Sequence, residues 1–226
     1  MANHGARQQK KLAKQKAKRT EKRTQLTRQS SQDPTVRLQG ISRRPIVGAF
    51  VPETMWDMGI GMVFIARGMP DGRIAWANFL IDTYCLGVKD ATWNISVPGE
   101  FDAVVDHIRQ GSPLKAVAPE YIAKLVRDAV AYATSLGFAP HPDFRAARLL
   151  LEGIDPTLCS EQFKFGKNGT PFYIQGPHDS MERARMIVLQ LQNQGGRFIV
   201  GGDHPHGLLN ADEREALLEH DDGEDD

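Results

Sequence analysis

Few side chains in this chain have types and spacing suited to chemistry: Asp82, Cys85, Asp90, His141 and His178 in its middle, and Asp203, His204 and His206 near its end. Asp82 closes an apolar run and Asp90 follows within the next element. Carboxylates at the end of a buried strand can hold a divalent cation that activates water, the chemistry of a metal-dependent hydrolase or nuclease. Such a centre needs further acids, and the sequence does not place them. Asp82 serves equally well as an acceptor for turn N–H groups. Cys85 with His141 or His178 as base would form a nucleophile pair. Its flanking residues match no cysteine-enzyme pattern, however, and a buried thiol packs as a small apolar group. His141 and His178 each precede an Asp at an expected helix start, which is the context of a cap. Asp203, His204 and His206 have ligand-type side chains in a glycine-flanked loop, but their spacing fits no standard zinc pattern. No cofactor is expected, apart from a divalent metal under the hydrolase alternative.

A second kind of chemistry is the neutralisation of phosphate. Residues 1–44 hold 13 Lys and Arg against Glu21 and Asp33, a net charge of +11, inside a chain whose formal charge is zero. The densest part is Lys10, Lys11, Lys14, Lys16, Lys18, Arg19, Lys22 and Arg23. Such a segment binds polyanions, and nucleic acid is the commonest of these. Residues 1–36 contain no aromatic side chain, so the arm supplies affinity without choosing bases. In Phe163-Lys164-Phe165-Gly166-Lys167, aromatic and basic residues alternate around a tight turn. Lys164 and Lys167 could therefore add backbone contacts, whether the aromatics grip bases or face a core. The run Gln175-Gly176-Pro177-His178-Asp179-Ser180 precedes a helix carrying Arg183 and Arg185, where free N–H groups could meet a phosphate. Residues 211–226 hold nine acids and one Arg, a net −8. This acidic end can compete with nucleic acid for the arm.

These residues need a scaffold. Residues 60–66 (IGMVFIA) and 74–81 (IAWANFLI), joined by Met69-Pro70-Asp71-Gly72, predict a β-hairpin. A second hairpin is predicted at 163–174 around Asn168-Gly169. Helices are predicted over 100–109, 118–136, 141–151 and 179–194. The second of these has Pro119 in its first turn, Gly137 after its end and an apolar stripe of Ile122, Leu125, Val126, Ala129, Val130, Ala133 and Leu136. A short strand is expected at 197–200 and a small helix at 211–219. Hairpins and helices in this order predict an α+β fold, with an antiparallel sheet built from two β-hairpins and packed with three to four helices. The expected organisation is a disordered basic arm over 1–44, one globular domain over 45–210 and an acidic tail over 211–226.

Two cysteines make no disulfide scaffold and imply a reducing compartment. No run of apolar residues is long enough for a membrane span, and the amino-terminal segment lacks a signal-peptide core. The expectation is a cytoplasmic protein, nuclear if eukaryotic, with no membrane partner. Its expected partner is nucleic acid, with RNA preferred over DNA, and the arm supplies the phosphate contacts. The alternatives are the metal-dependent hydrolase built on Asp82 and Asp90, and an adaptor whose arm meets an acidic protein.

Overall fold

A computed structural model describes residues 33–200. The arm lysines and arginines from Lys10 to Arg23, the Asp203–His204–His206 loop, the small helix expected at 211–219 and the acidic end lie outside the described residues.

The apolar runs pair as the sequence predicts. Strand β2 (Ile60–Gly68) and strand β3 (Ile74–Asp82) form a regular antiparallel hairpin from Ile60↔Asp82 to Gly68↔Ile74. In its turn the Gly72 N–H donates to the Met69 carbonyl at 3.1 Å and the Met69 N–H to the Arg73 carbonyl at 2.8 Å. Gly72 has φ 80°, the left-handed position that follows a type I turn in this loop class. Strand β1 (Ile46–Pro52) flanks β2, β4 (Gly87–Ser96) flanks β3, and the three-residue β5 (Leu114–Ala116) closes the far edge. The sheet is antiparallel throughout, in the order β4-β3-β2-β1-β5.

Both faces of the sheet are covered because its central strands alternate large side chains on both sides. On one face Val63, Ile65, Ala77, Phe79 and Ile81 pack against Ile122, Leu125, Val126 and Ala129. The helical residues come from the long helix Pro119–Ser135, whose apolar stripe is the one read from the sequence. On the other face Ala66 and Trp76 meet Phe101 and Val105 of helix Pro98–Gly111. In chain order the α-helices are α1 (Pro34–Arg37), α2 (Met55–Met58), α3 (Pro98–Gly111), α4 (Pro119–Ser135), α5 (Phe144–Ala147) and α6 (Met181–Gln192). The helix expected over 141–151 is the short α5 followed by a 3-10 turn, Arg148–Leu151.

The α+β class and the antiparallel sheet are thus as expected, but β1 and β4 extend the first hairpin where the second one, at 163–174, was expected. Asn168 (φ 54°) and Gly169 (φ 80°) do make a tight turn, closed by a single Lys167↔Thr170 bridge. No strand precedes it. The Gly166 N–H donates to the Thr83 carbonyl instead, and Phe163 and Phe165 are taken up by the rings of Trp56, Tyr121 and Tyr132. Strand β6 (Phe172–Ile174) pairs in parallel with β7 (Arg197–Ile199) across α6. This small unit packs through Tyr173, Ala184, Ile187, Leu191 and Phe198 onto Cys85, Leu86 and Leu136.

The packed chain also begins before the boundary expected at Pro45. Leu38 and Ile41 are buried in the main core. The buried Arg67 of β2 then fastens this segment to the one after α5. Its Nε donates to the Leu150 carbonyl at 2.8 Å, its Nη1 to the Ser42 and Arg44 carbonyls at 3.2 and 2.8 Å, and its Nη2 to the Glu152 carbonyl at 2.7 Å. The planar fork of a guanidinium meets four carbonyls from two segments, a pattern no lysine reproduces. Among the described residues, no helix is long and apolar enough to cross a membrane.

Candidate functional site

Asp82 sits where β3 ends, and its surroundings consume it. Its Oδ1 accepts the N–H groups of Tyr84 and Cys85 at 2.8 and 3.0 Å. Burial pushes its carboxyl above the ordinary carboxylate range, against the pull of those N–H groups and of Lys89. Cys85 is wholly buried, and burial together with the Asp82 charge pushes its thiol up, so thiolate is not available for attack. Asp90 is on the surface, 57% exposed, with its Oδ1 3.5 Å from His141 Nδ1. His141 also accepts the Asp143 N–H at 3.4 Å, while His178 is exposed on the turn before α6. No hydrogen bond or ion pair within the described residues joins His141 to His178, or either of them to Cys85. Among the described residues, no group of three or more His, Cys, Asp and Glu is placed to hold a metal ion. Asp82 and Cys85 are held in the turn after β3, while Asp90 and His178 lie on the surface and His141 is partly exposed.

The residue that reasoning on the sequence missed is Lys89. Leu80 pairs with Asp90 and Ile81 with Val88, so Lys89 is the extra residue of a β-bulge in β4. A bulge bends the strand and re-aims a side chain. Here the Lys89 ammonium reaches Asp179 Oδ2 at 2.7 Å, with side chains 15% and 2% exposed. The same oxygen accepts the Tyr173 hydroxyl at 3.2 Å and the Gly176 N–H at 3.0 Å, while Arg183 Nε stands 3.7 Å from the other oxygen. Burial alone would raise the Asp179 carboxyl, but the bonds from Lys89 and Gly176 outweigh it and hold it below the ordinary value. Gly176 leaves the room this needs, since a Cβ there would lie 2.9 Å from Lys89 Nζ. At the start of α6, Asp179 takes the Gly176 N–H and the Ser180 hydroxyl accepts the Arg183 N–H at 3.2 Å.

The aromatic residues around Lys164 face inward. Phe163 stacks on Trp56 at 5.5 Å and meets the Tyr121 ring edge at 4.9 Å, and Phe165 stacks on Tyr132 at 5.1 Å. Lys164 and Lys167 are exposed, with the Lys167 ammonium 4.7 Å above the Phe172 ring. This turn therefore offers charge to solvent, while Phe163 and Phe165 are engaged with other rings.

A different basic surface is present where residues 33–44 join the domain. Arg37, Arg43, Arg44, Arg145 and Arg148 are all exposed. The Arg37 guanidinium lies 4.8 Å over the Trp93 ring of β4. The turn Ile41–Arg43 packs on the turn Arg148–Leu151, and α5 packs on β4. The Arg67 fork ties the Ser42 and Arg44 carbonyls to those of Leu150 and Glu152. None of the five arginines forms an ion pair with a described residue, although the Glu152 carboxylate lies in the same neighbourhood. The chain matches no protein-family model, no curated protein and no solved structure.

Proposed function

We propose that the protein binds a nucleic-acid backbone, with RNA preferred, and that the basic amino-terminal arm continues onto the domain as a rim of arginines. The observation that carries this reading is the set of five exposed arginines with no ion pair to a carboxylate among the described residues, on segments packed together where the arm joins the core. An unpaired surface guanidinium keeps its fork free for phosphate oxygens. The rim stands on rigid elements, so it fixes where a strand lies, while the arm adds charge that reads no sequence.

The test is fluorescence anisotropy of a labelled 30-nucleotide RNA with the full chain, titrated over a range of salt. Arg43, Arg44, Arg145 and Arg148 all changed to Gln should flatten the plot of log affinity against log salt. The slope should fall by roughly 0.7 for each single-strand phosphate that is no longer neutralised. Changing Lys10, Lys11, Lys14, Lys16, Lys18, Arg19, Lys22 and Arg23 to Gln should remove most of the salt-sensitive affinity. The reading is overturned by absence of binding in the native chain, or by slopes unchanged in both variants.

A further inference from the structure

Beside the bulge, a cleft of about 420 Å³ opens between β4, the connection from α4 to α5, and α6. This volume is within the range of small-molecule sites, roughly 300–1,000 Å³. Its apolar walls include Leu86, Val88, Phe138, Pro140 and Ile187, and its ionisable lining residues are Lys89, His141 and Arg183. All three are basic types; Asp179 lies against Lys89 and Arg183, and Asp90 and Asp143 lie beside His141. We infer that this cleft binds a small organic monoanion, a carboxylate carried on an apolar body of about one ring.

Three observations converge on this. The first is charge. Lys89 and Arg183 share the single carboxylate of Asp179, which leaves one positive charge facing the cleft. The acids beside His141, Asp90 at 3.5 Å and Asp143 at 3.8 Å, are 57% and 71% exposed and are screened by water. A carboxylate matches this balance, whereas a phosphate dianion exceeds it. The second is unused donor capacity. An ammonium has three N–H donors and Lys89 commits one to Asp179, while Arg183, 52% exposed, reaches the same residue only at 3.7 Å. A guanidinium meets a carboxylate with two parallel bonds. The third is positioning. The bulge turns Lys89 out of the regular pleat at a fixed point of the sheet, and the buried Asp179, itself held by Tyr173 and Gly176, keeps the ammonium in place. The walls then take the apolar body, and their rigid proline and phenylalanine side chains lose little entropy on binding. The cleft uses neither the arm nor the arginine rim, so this site stands apart from the binding of nucleic acid.

The test uses the full chain, uniformly labelled with ¹⁵N, titrated with phenylacetate, acetate and phenyl phosphate while backbone amide shifts are followed. Phenylacetate should move the amides of Lys89, Phe138, Ala139, His141 and Ile187, and should bind at least roughly tenfold more tightly than acetate. Arg183→Gln, a change at the surface, should weaken phenylacetate roughly tenfold or more. Ala139→Trp, which fills the cleft from an exposed position, should abolish the shifts while leaving the spectrum that of a folded protein. The inference is overturned if millimolar phenylacetate moves no cleft amide. It is overturned equally if Arg183→Gln binds as well as the native chain, or if phenyl phosphate binds more tightly than phenylacetate.

Discussion

Asp82 and Asp179 are both buried aspartates, yet they meet opposite fates. Asp179 has an ammonium and two further hydrogen-bond donors on one oxygen, and its carboxyl is held low. Asp82 has two backbone N–H groups and a more distant Lys89, and burial wins. The signs of their pH effects follow. Stability from Asp179 is present above the carboxylate's ordinary value and lost as pH falls through its lowered one. Asp82 acts in reverse, costing stability as pH rises from its ordinary value through its raised one. Asp82→Asn keeps an oxygen for Tyr84 and Cys85 and never ionises. It should therefore match or exceed the native chain in urea midpoint at pH 7, with the advantage shrinking toward pH 4. Asp82→Ala leaves two buried N–H groups unsatisfied and should cost about 1–3 kcal/mol. Asp179→Ala, which leaves Lys89 buried without its partner, should cost about 3–5 kcal/mol in the same measurement. An Asp82→Asn variant clearly weaker than native at pH 7 would refute this account. At this scale the sequence showed residue types well and surroundings poorly. Asp82 as a turn acceptor and Cys85 as a packed thiol were both legible, while Asp179 as the keystone of a buried network was not, because its partners Lys89 and Tyr173 come from distant parts of the chain.

Among the elements, β4 is closely constrained at its start. Gly87, at its start, has φ 62°, and a Cβ there would lie 2.5 Å from the Ala129 carbonyl oxygen and 2.7 Å from the Ala133 side chain of α4. Gly72, in the β2–β3 turn, has φ 80° but open space around it. Gly72→Ala should therefore cost only the left-handed backbone, about 1–2 kcal/mol. Gly87→Ala adds a collision between strand and helix, and thermal unfolding should show it to be the more damaging of the two by a clear margin. Equal losses would mean that α4 yields at no cost. The hairpin and α4 were legible because their signals are local: a turn between two apolar runs, and a stripe at helical spacing. The β6–β7 pair was not, since Phe172 and Arg197 meet across a whole helix and three-residue strands carry no period. The bulge left a trace that could have been read. Buried Val88 and Ala91 are an odd number of residues apart, so the alternation slips by one at Lys89-Asp90.

Across the whole molecule, opposite charges collect at the two ends of the sequence, and the domain between them is mildly acidic. The arginine rim gives the basic end a foothold on this domain, and Arg67 underlies that foothold. Arg67→Met would leave the Ser42, Arg44, Leu150 and Glu152 carbonyls without their donor. It should cost about 3 kcal/mol or more and speed amide hydrogen exchange over residues 38–44 and 150–154 before the rest of the domain. Exchange rising uniformly would show that the fork has no local role.

Arg67 also settles how the molecule would respond to mechanical load. A nucleic acid held by the arm, as proposed, would pull on the chain ahead of residue 33, and that tension would meet Leu38, Ile41 and the guanidinium fork before any strand. Behind the fork lies β1, whose first residues pair with β2 alone and whose Phe50–Pro52 lie between β2 and β5. Force entering at this end thus meets the four bonds of the fork before it reaches the half-paired start of β1. Under the proposed binding, the guanidinium fork is the clasp that a load on the arm has to open first.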